Sequence, residues 1–519
     1  MKKKVFFFNA VLLTASTLLL RTMNISYRMY LTSKIGAEGM GLYQLVFSVF
    51  VLAITLSTSG VSLAVTRLVS EAIADGHPQT VRSGVRKCLC FSLGVSVAAM
   101  AAMYGCSGWI GHSLLGDERV ILPLRLLAPG LPFMALCSCL KGYFLAVRGV
   151  VKSACGEILE QLVTIGVTVV IFTFLMPGGI EGGCCAIMVG STVGEVASFG
   201  YIYLLYLLHV RRLRGNLPAQ KSGGILHKIC HIALPITCSS TLRSGLGALE
   251  NILIPVGLRK YGASAQASMI EYGTIQGMVM PVLYFPSSFL IAFSSLLIPE
   301  MSEANALRKS RFINRATSRS MQLTLLFSIF VTAIFLSFSR ELGMIFYESE
   351  QAGTLLRIFA PLVPLFYLDS VVDGILKGLD QQLHSMKYNF SDSAIRVVLI
   401  FFLIPLTGSR GYIGILFFST IFNATLSIHR LIKVAQVEIR FLDWILKPAL
   451  CGAVAVLTIT FLGKFVPTSL LHTRILCALQ ILFSSLLYYT LLRLSGSLSK
   501  ADLHWFRSIF WQHKEKINP

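Results

Sequence analysis

Charge is scarce in this chain, and acidic charge is scarcest. Of 519 residues only 13% are charged, and 24 Asp and Glu face 45 Lys and Arg, a formal net charge of +21. Soluble proteins carry roughly a quarter charged residues, so half that content excludes an ordinary cytosolic enzyme. The twelve cysteines form no Cys-x-x-Cys pair, and no His stands at ligand spacing, so a metal framework has no ligand set. Cys88, Cys90, Cys137, Cys139, Cys184, Cys185, Cys238, Cys451 and Cys477 lie in or beside apolar runs, where thiols act as small packing groups. Nor are the basic residues gathered on a polar surface as nucleic-acid binders gather theirs; no nucleic-acid partner is expected. Lys2-Lys3-Lys4 and the apolar run to Leu20 imitate a signal peptide, but Arg21-Thr22-Met23-Asn24 follows instead of a cleavage site. The segment is expected to stay as a first span.

What is abundant is apolar sequence, 55% of the chain, in runs of membrane-spanning length. These runs predict an all-α polytopic membrane protein of about fourteen transmembrane helices joined by short polar loops. Basic residues orient it. With the N-terminus inside, roughly two-thirds of the Lys and Arg fall in cytoplasmic segments, including Arg211, Arg212, Arg214, Lys221 and Lys228 in one loop and Arg308, Lys309, Arg311, Arg315 and Arg319 in another. Both termini are therefore expected in the cytoplasm of a multi-pass cell-membrane protein.

The halves repeat. At an offset of 232 residues Gly41 and Gln44 match Gly273 and Gln276, and Ser70-Glu71-Ala72 matches Ser302-Glu303-Ala304. At the same offset Pro129, Pro132 and Gly142 match Pro361, Pro364 and Gly374; at 228, Pro177 and Gly183 match Pro405 and Gly411. An even number of spans per copy keeps both copies in one orientation, the arrangement of parallel-repeat transporters, in which two bundles enclose a central cavity and rock about it. The expected plan is a six-helix bundle over 1–210, a cytoplasmic linker over 211–229, a second six-helix bundle over 230–440, a helix pair over 441–495 and a cytoplasmic tail over 496–519. The paired prolines should break or bend spans 4 and 10 at equivalent places.

Polar residues inside spans are the functional candidates. Thr14, Thr17, Arg21, Asn24 and Arg28 share one face of the first span, and Ser240, Arg243, Gly247 and Glu250 occupy the corresponding face of the seventh. An arginine facing lipid near mid-membrane costs about 2.5–3.5 kcal/mol, so a wet cavity is the cheaper place for Arg21 and Arg243, whereas Arg28 could snorkel to an interface. A positive cavity favours an anion, and the guanidinium fork suits phosphate. Glu195, near the middle of span 6, has Asn423 as its repeat partner; holding a proton or cation and neutralising a cavity arginine both remain open. Asn389 and Asp392 fall in the first turns of span 11, where complementing a helix dipole is the plainer reading.

With these features assembled, the chain resembles the polysaccharide-flippase branch of the MATE-like (MOP) exporter superfamily. The resemblance rests on two six-span repeats plus a pair, the arginine-bearing first span, and Gly36-Ala37-Glu38-Gly39-Met40-Gly41-Leu42-Tyr43-Gln44 opening the second. Within the branch it resembles the stage V sporulation protein B group, relatives of MurJ-type lipid II flippases. The resemblance implies two bundles around a central cavity and transfer of an undecaprenyl-pyrophosphate-linked saccharide from the inner to the outer leaflet, with lipid II for spore cortex peptidoglycan as cargo. MurJ-type relatives place cavity arginines on spans 1, 2 and 8; here span 8 has none, and Arg243 on span 7 would substitute. Some relatives bind sodium in the second bundle, which makes Glu250, Asn389, Asp392, Thr420 and Asn423 cation candidates. The extra helix pair would serve as a groove for the isoprenoid tail.

The expected activity is thus transport, not catalysis: no sizeable outer loop carries carboxylates or histidines. No cofactor is expected, and coupling to Na+ or H+ is open. Membrane lipids and the lipid-linked anionic saccharide are the expected partners, with cell-wall synthases a further option. Two alternatives stay in view, a multidrug/cation antiporter of the same superfamily, which would call for an acidic cavity, and a non-transporting scaffold for cell-wall synthesis.

Overall fold

A computed structural model of the chain describes residues 2–74, 78–175, 178–212, 225–463 and 473–498. Residues 213–224 of the expected linker, Pro177 and the tail beyond 498 lie outside the described residues. Among those described every regular element is a helix.

The contacts divide the chain into two compact units. One comprises residues 11–273 with 397–409. It contains α1 (Lys2–Thr58, from residue 11), α2 (Val61–Ala74), α3 (Pro78–Trp109), α4 (Ile121–Leu127), α5 (Gly130–Ala146), α6 (Val150–Val170), α7 (Gly179–Arg212), α8 (Ile225–Tyr261) and α9 (Ala265–Tyr272). The other comprises residues 1–10, 274–396 and 410–519. It contains α10 (Met280–Tyr284), α11 (Ser287–Ala306), α12 (Ser310–Ser337), α13 (Ser339–Tyr347), α14 (Glu350–Phe359), α15 (Val363–Gly378), most of α16 (Gln382–Ala435), α17 (Lys447–Gly463) and α18 (Thr473–Leu494). Residues 230–273, which the sequence repeat counts with the second copy, pack in the first unit.

Nine helices among the described residues are long and apolar enough to cross a membrane, or eleven if each of two bent pairs is one span. Two of the nine, Ala15–Ile73 through α1 into α2 and Gln382–Ala435 in α16, are 59 and 54 residues long and far exceed the roughly 20 residues that a bilayer core needs. Each breaks at a glycine: α1 at Gly36 (φ 66°, ψ −172°) and α16 at Gly408 (φ 64°, ψ −144°). Side chains with a Cβ rarely adopt such a conformation, so glycine lets the chain leave one helix and enter the next without a loop. The tally of fourteen requires both long helices to count twice and α8 to count as a span; Thr237, Ser239, Ser240, Thr241, Arg243 and Ser244 dilute the hydropathy of α8.

The repeat is written in the backbone. Gly116 (φ 61°) and Glu348 (φ 52°) are left-handed helix ends, and Arg148 (φ 58°) and Asp380 (φ 60°) are left-handed turns, each pair separated by the offset of the sequence repeat. Gly142 lies against Ser62, and Gly374 lies against Ser294, with the same relation. Within the first unit Gly41 abuts the carbonyl of Met269 and Gly273 abuts that of Ala37, so closely that a Cβ on either glycine would collide with main chain. Residues 37 and 41 thus contact 273 and 269 reciprocally, the pattern of two-fold-related segments.

The prolines act as expected on span 4: the helix bends by 44° between Leu127 and Gly130. On span 10 the equivalent place is a 3-10 turn, Ala360–Leu362, between α14 and α15. In the first unit's core Cys88 and Cys139 are fully buried beside Tyr143, Phe144 and Ile202, as small packing groups.

Candidate functional site

The arginine stripes sit on α1 and α8. Arg21 and Asn24 are exposed, and neither Arg21 nor Arg243 has an ion-pair or hydrogen-bond partner among the described residues. Arg28 is half-buried, its guanidinium 5.9 Å from the Tyr43 ring centroid, with a buried Nη1 that no acceptor meets. Arg243 is the central residue of α8, about 27 Å of helix from either end. The next residue, Ser244, bonds Thr55 on α1 at 2.9 Å, which fixes α8 beside α1. Glu250 differs from the others in its stripe, being buried and already engaged.

A second polar cluster lies in the other unit. Asn423 Nδ2 donates to Asp369 Oδ2 and to Asn389 Oδ1, both at 3.2 Å, while Asn423 Oδ1 is buried without a donor. Asn389 Nδ2 reaches Ser385 Oγ at 3.5 Å, and Ser385 donates to Asp373, which Lys377 holds at 2.6 Å. Asp392 stands on another branch, accepting from Ser419 at 2.6 Å and paired with Arg396 at 3.4 Å. Of the sequence candidates, Asn389 and Asn423 therefore meet. Thr420 instead donates back to Leu416 of its own helix at 2.7 Å. Glu250 and Glu195 belong to the other unit. Asp369 was missed, although two carboxylates four residues apart, Asp369 and Asp373, in an apolar span are a signal. No group of three or more His, Cys, Asp or Glu suited to a metal occurs among the described residues.

Glu195 is buried on α7, with Glu160 of α6 and Lys141 of α5 as its charged neighbours. Lys141 of α5 approaches Glu157 at 3.3 Å and Glu160 at 3.9 Å. Glu195 therefore meets a carboxylate and a lysine from neighbouring helices, not a cavity arginine. Lys141 also went unnoticed in the sequence, though its repeat partner is Asp373.

The segment Gly36–Gln44 acquires a physical role. Gly36 breaks α1, Gly41 admits the close approach of residue 269, and Glu38 takes Arg119 Nη1 at 2.6 Å and Gln266 Nε2 at 3.2 Å. Arg119 also bonds Asp117 Oδ2 at 2.8 Å. Burial alone would raise the Asp117 carboxyl, but the hydrogen bonds and charge of Arg119 hold it below the usual carboxylate range. Arg259, at the end of α8, donates to the Gly116 carbonyl at 3.0 Å and to that of Leu115.

A family model described as polysaccharide biosynthesis protein matches residues 7–305. Stage V sporulation protein B of Bacillus subtilis (strain 168) is 26% identical over 468 residues, 88% of this chain and 89% of that one. The solved structure of a lipid II flippase MurJ in an inward closed conformation superposes with a TM-score of 0.69 at 13% identity, over 93% of this chain and 98% of that one. An inward-facing multidrug resistance MATE family transporter of the MOP superfamily superposes with a TM-score of 0.64 at 16% identity, over 82% of this chain and 97% of that one. Both structural likenesses speak for the fold.

Proposed function

The chain belongs to the polysaccharide biosynthesis protein family, and from that membership we propose that it is an alternating-access flippase for an undecaprenyl-pyrophosphate-linked saccharide. The observation that carries this reading is the state of the arginines. Among the described residues nothing neutralises Arg21 or Arg243 in their membrane-length helices, and Arg28 keeps a buried donor without an acceptor. Guanidinium groups so placed are costly against lipid and are satisfied by water or by a phosphate that accepts two parallel hydrogen bonds. Arg21, Arg28 and Arg243, with Asn24 beside them, would receive the pyrophosphate while the isoprenoid tail stays in lipid. Alternating access would then expose the headgroup outside; no covalent bond is made or broken. Across an inside-negative membrane, outward movement of negative charge is favoured by about 2.3 kcal/mol per charge per 100 mV.

The cargo we propose is lipid II for spore cortex, in line with the stage V sporulation protein B likeness. Asp369, Asn389 and Asn423 supply oxygen donors for a hard cation such as Na+, and buried Glu195 offers a carboxyl for a proton; either would reset the carrier. A multidrug antiporter would need unpaired acid in place of unpaired arginine. The test is leaflet-resolved movement by purified protein in liposomes of labelled lipid II, a labelled teichoic-acid precursor and a cationic dye. Lipid II moving fastest supports the reading, and dye movement without lipid movement refutes it.

A further inference from the structure

A cavity of about 820 Å³ opens in the second unit between the start of α12, the segment before α17 and the turn after α18. Its volume is in the range of small-molecule sites. Arg311, Arg315 and Arg319 line it from one face of α12. Their four-residue spacing sets successive guanidinium stems about 6 Å apart along the axis, a spread that suits two phosphate groups. Arg440 faces them from the segment before α17. Among the described residues that line the cavity, Glu438 and Asp443 are the acids, and Asp443 is already held by Lys447 at 2.6 Å. Arg311 and Arg315 have no ion-pair or hydrogen-bond partner among the described residues.

The walls are built. Asn314 donates to the main-chain carbonyls of Ala435 and Gln436 past the end of α16, and Gln322 donates to the Ser497 carbonyl at 2.9 Å past the end of α18. These two amides satisfy carbonyls that border the cavity, and the Arg311 and Arg315 guanidinium groups stay available. Trp444 forms a buried apolar wall, the residue type that sits where headgroups meet acyl chains. The Lys and Arg bias assigns this mouth to the cytoplasmic face, where basic pockets between helices bind anionic headgroups.

We propose that this cavity binds a lipid headgroup bearing two phosphates, separately from the transport cavity. Two lipids present that chemistry, cardiolipin of the bilayer and an undecaprenyl diphosphate carrier. The inference does not depend on flipping, and its test reads binding alone. Full-length protein carrying Arg21→Ala and Arg243→Ala, which removes the transport cavity's arginines, would be placed in phosphatidylcholine nanodiscs. Cardiolipin or undecaprenyl diphosphate would be titrated in, and retained lipid counted by native mass spectrometry. We expect saturable retention of about one lipid, weakened at least tenfold by adding Arg311→Gln and Arg315→Gln and strengthened by Glu438→Gln. Displacement of cardiolipin by equimolar undecaprenyl diphosphate would assign the site to the carrier lipid; no displacement would assign it to the bilayer lipid. Retention of both lipids unchanged by the arginine pair, or weakened by Glu438→Gln, would overturn the proposal.

Discussion

Replacing Arg243 by alanine separates a binding arginine from a structural one, because the two roles predict opposite signs. Arg243 is exposed at the centre of α8 and has no partner among the described residues. If it grips pyrophosphate, its loss removes a charge-assisted, two-pronged contact of about 2–3 kcal/mol, or about 30- to 150-fold in Kd. Folding stability should hold or rise, since an unpaired guanidinium in the apolar interval is itself a cost of about 2.5–3.5 kcal/mol on the insertion scale. Arg243→Lys keeps the charge without the fork and should fall between, at about tenfold. The assay is binding of a fluorescent undecaprenyl-diphosphate saccharide to purified protein in nanodiscs, with the thermal midpoint taken on the same samples. Wild-type Kd in Arg243→Ala would refute the reasoning. So would a weaker Kd that arrives with an equally lowered midpoint, because that marks a structural arginine.

Three further outcomes follow from the packing and the polar clusters. Gly41→Ala and Gly273→Ala should each lower the thermal midpoint by the equivalent of about 1–3 kcal/mol or more, since main-chain carbonyls cannot move aside as side chains do; Gly84→Ala, with nothing near its Cβ position, is the neutral control. Asp369→Asn should abolish any stimulation of transport by Na+ while leaving lipid Kd within about twofold; unchanged sodium dependence would remove Asp369 from the cation site. The Asp117 carboxyl is depressed in the folded state, so its contribution is fully present above the ordinary carboxylate value of about 3.9 and is lost as pH falls through its lower folded value. Asp117→Asn should therefore cost about 1–3 kcal/mol at neutral pH and flatten the acid side of the midpoint profile, and an unaltered profile would exclude the Arg119 pairing as a stabilising contact.

The fold was legible wherever it depends on local sequence. Apolar runs marked the helices, Pro129 marked a bend, and the matches at a fixed offset anticipated the paired left-handed residues Gly116 with Glu348 and Arg148 with Asp380. Gly36 and Gly41 stood in a motif whose purpose became visible only with the break in α1 and the approach of residue 269. The arginine stripes were legible because an unpaired charge in an apolar run announces itself. Side-chain partners were not, since they depend on which helices meet. Asn423 finds Asp369 across 54 positions of sequence, and Thr420, adjacent in type and place, turns back on its own helix. Arg311, Arg315 and Arg319 were read only as residues that orient the chain, because nothing local reveals that Asn314 and Gln322 close a cavity around them.

The central claim is that the unneutralised arginines carry a lipid-linked pyrophosphate across the membrane. Its most direct test is the loss of labelled lipid II from the starting leaflet of liposomes holding either the wild-type protein or the Arg21→Ala, Arg243→Ala double variant at equal reconstituted amounts. Time-dependent loss is expected with the wild type, and a rate at the protein-free background with the variant. Equal rates for the two proteins, or no movement above background with the wild type, would contradict it.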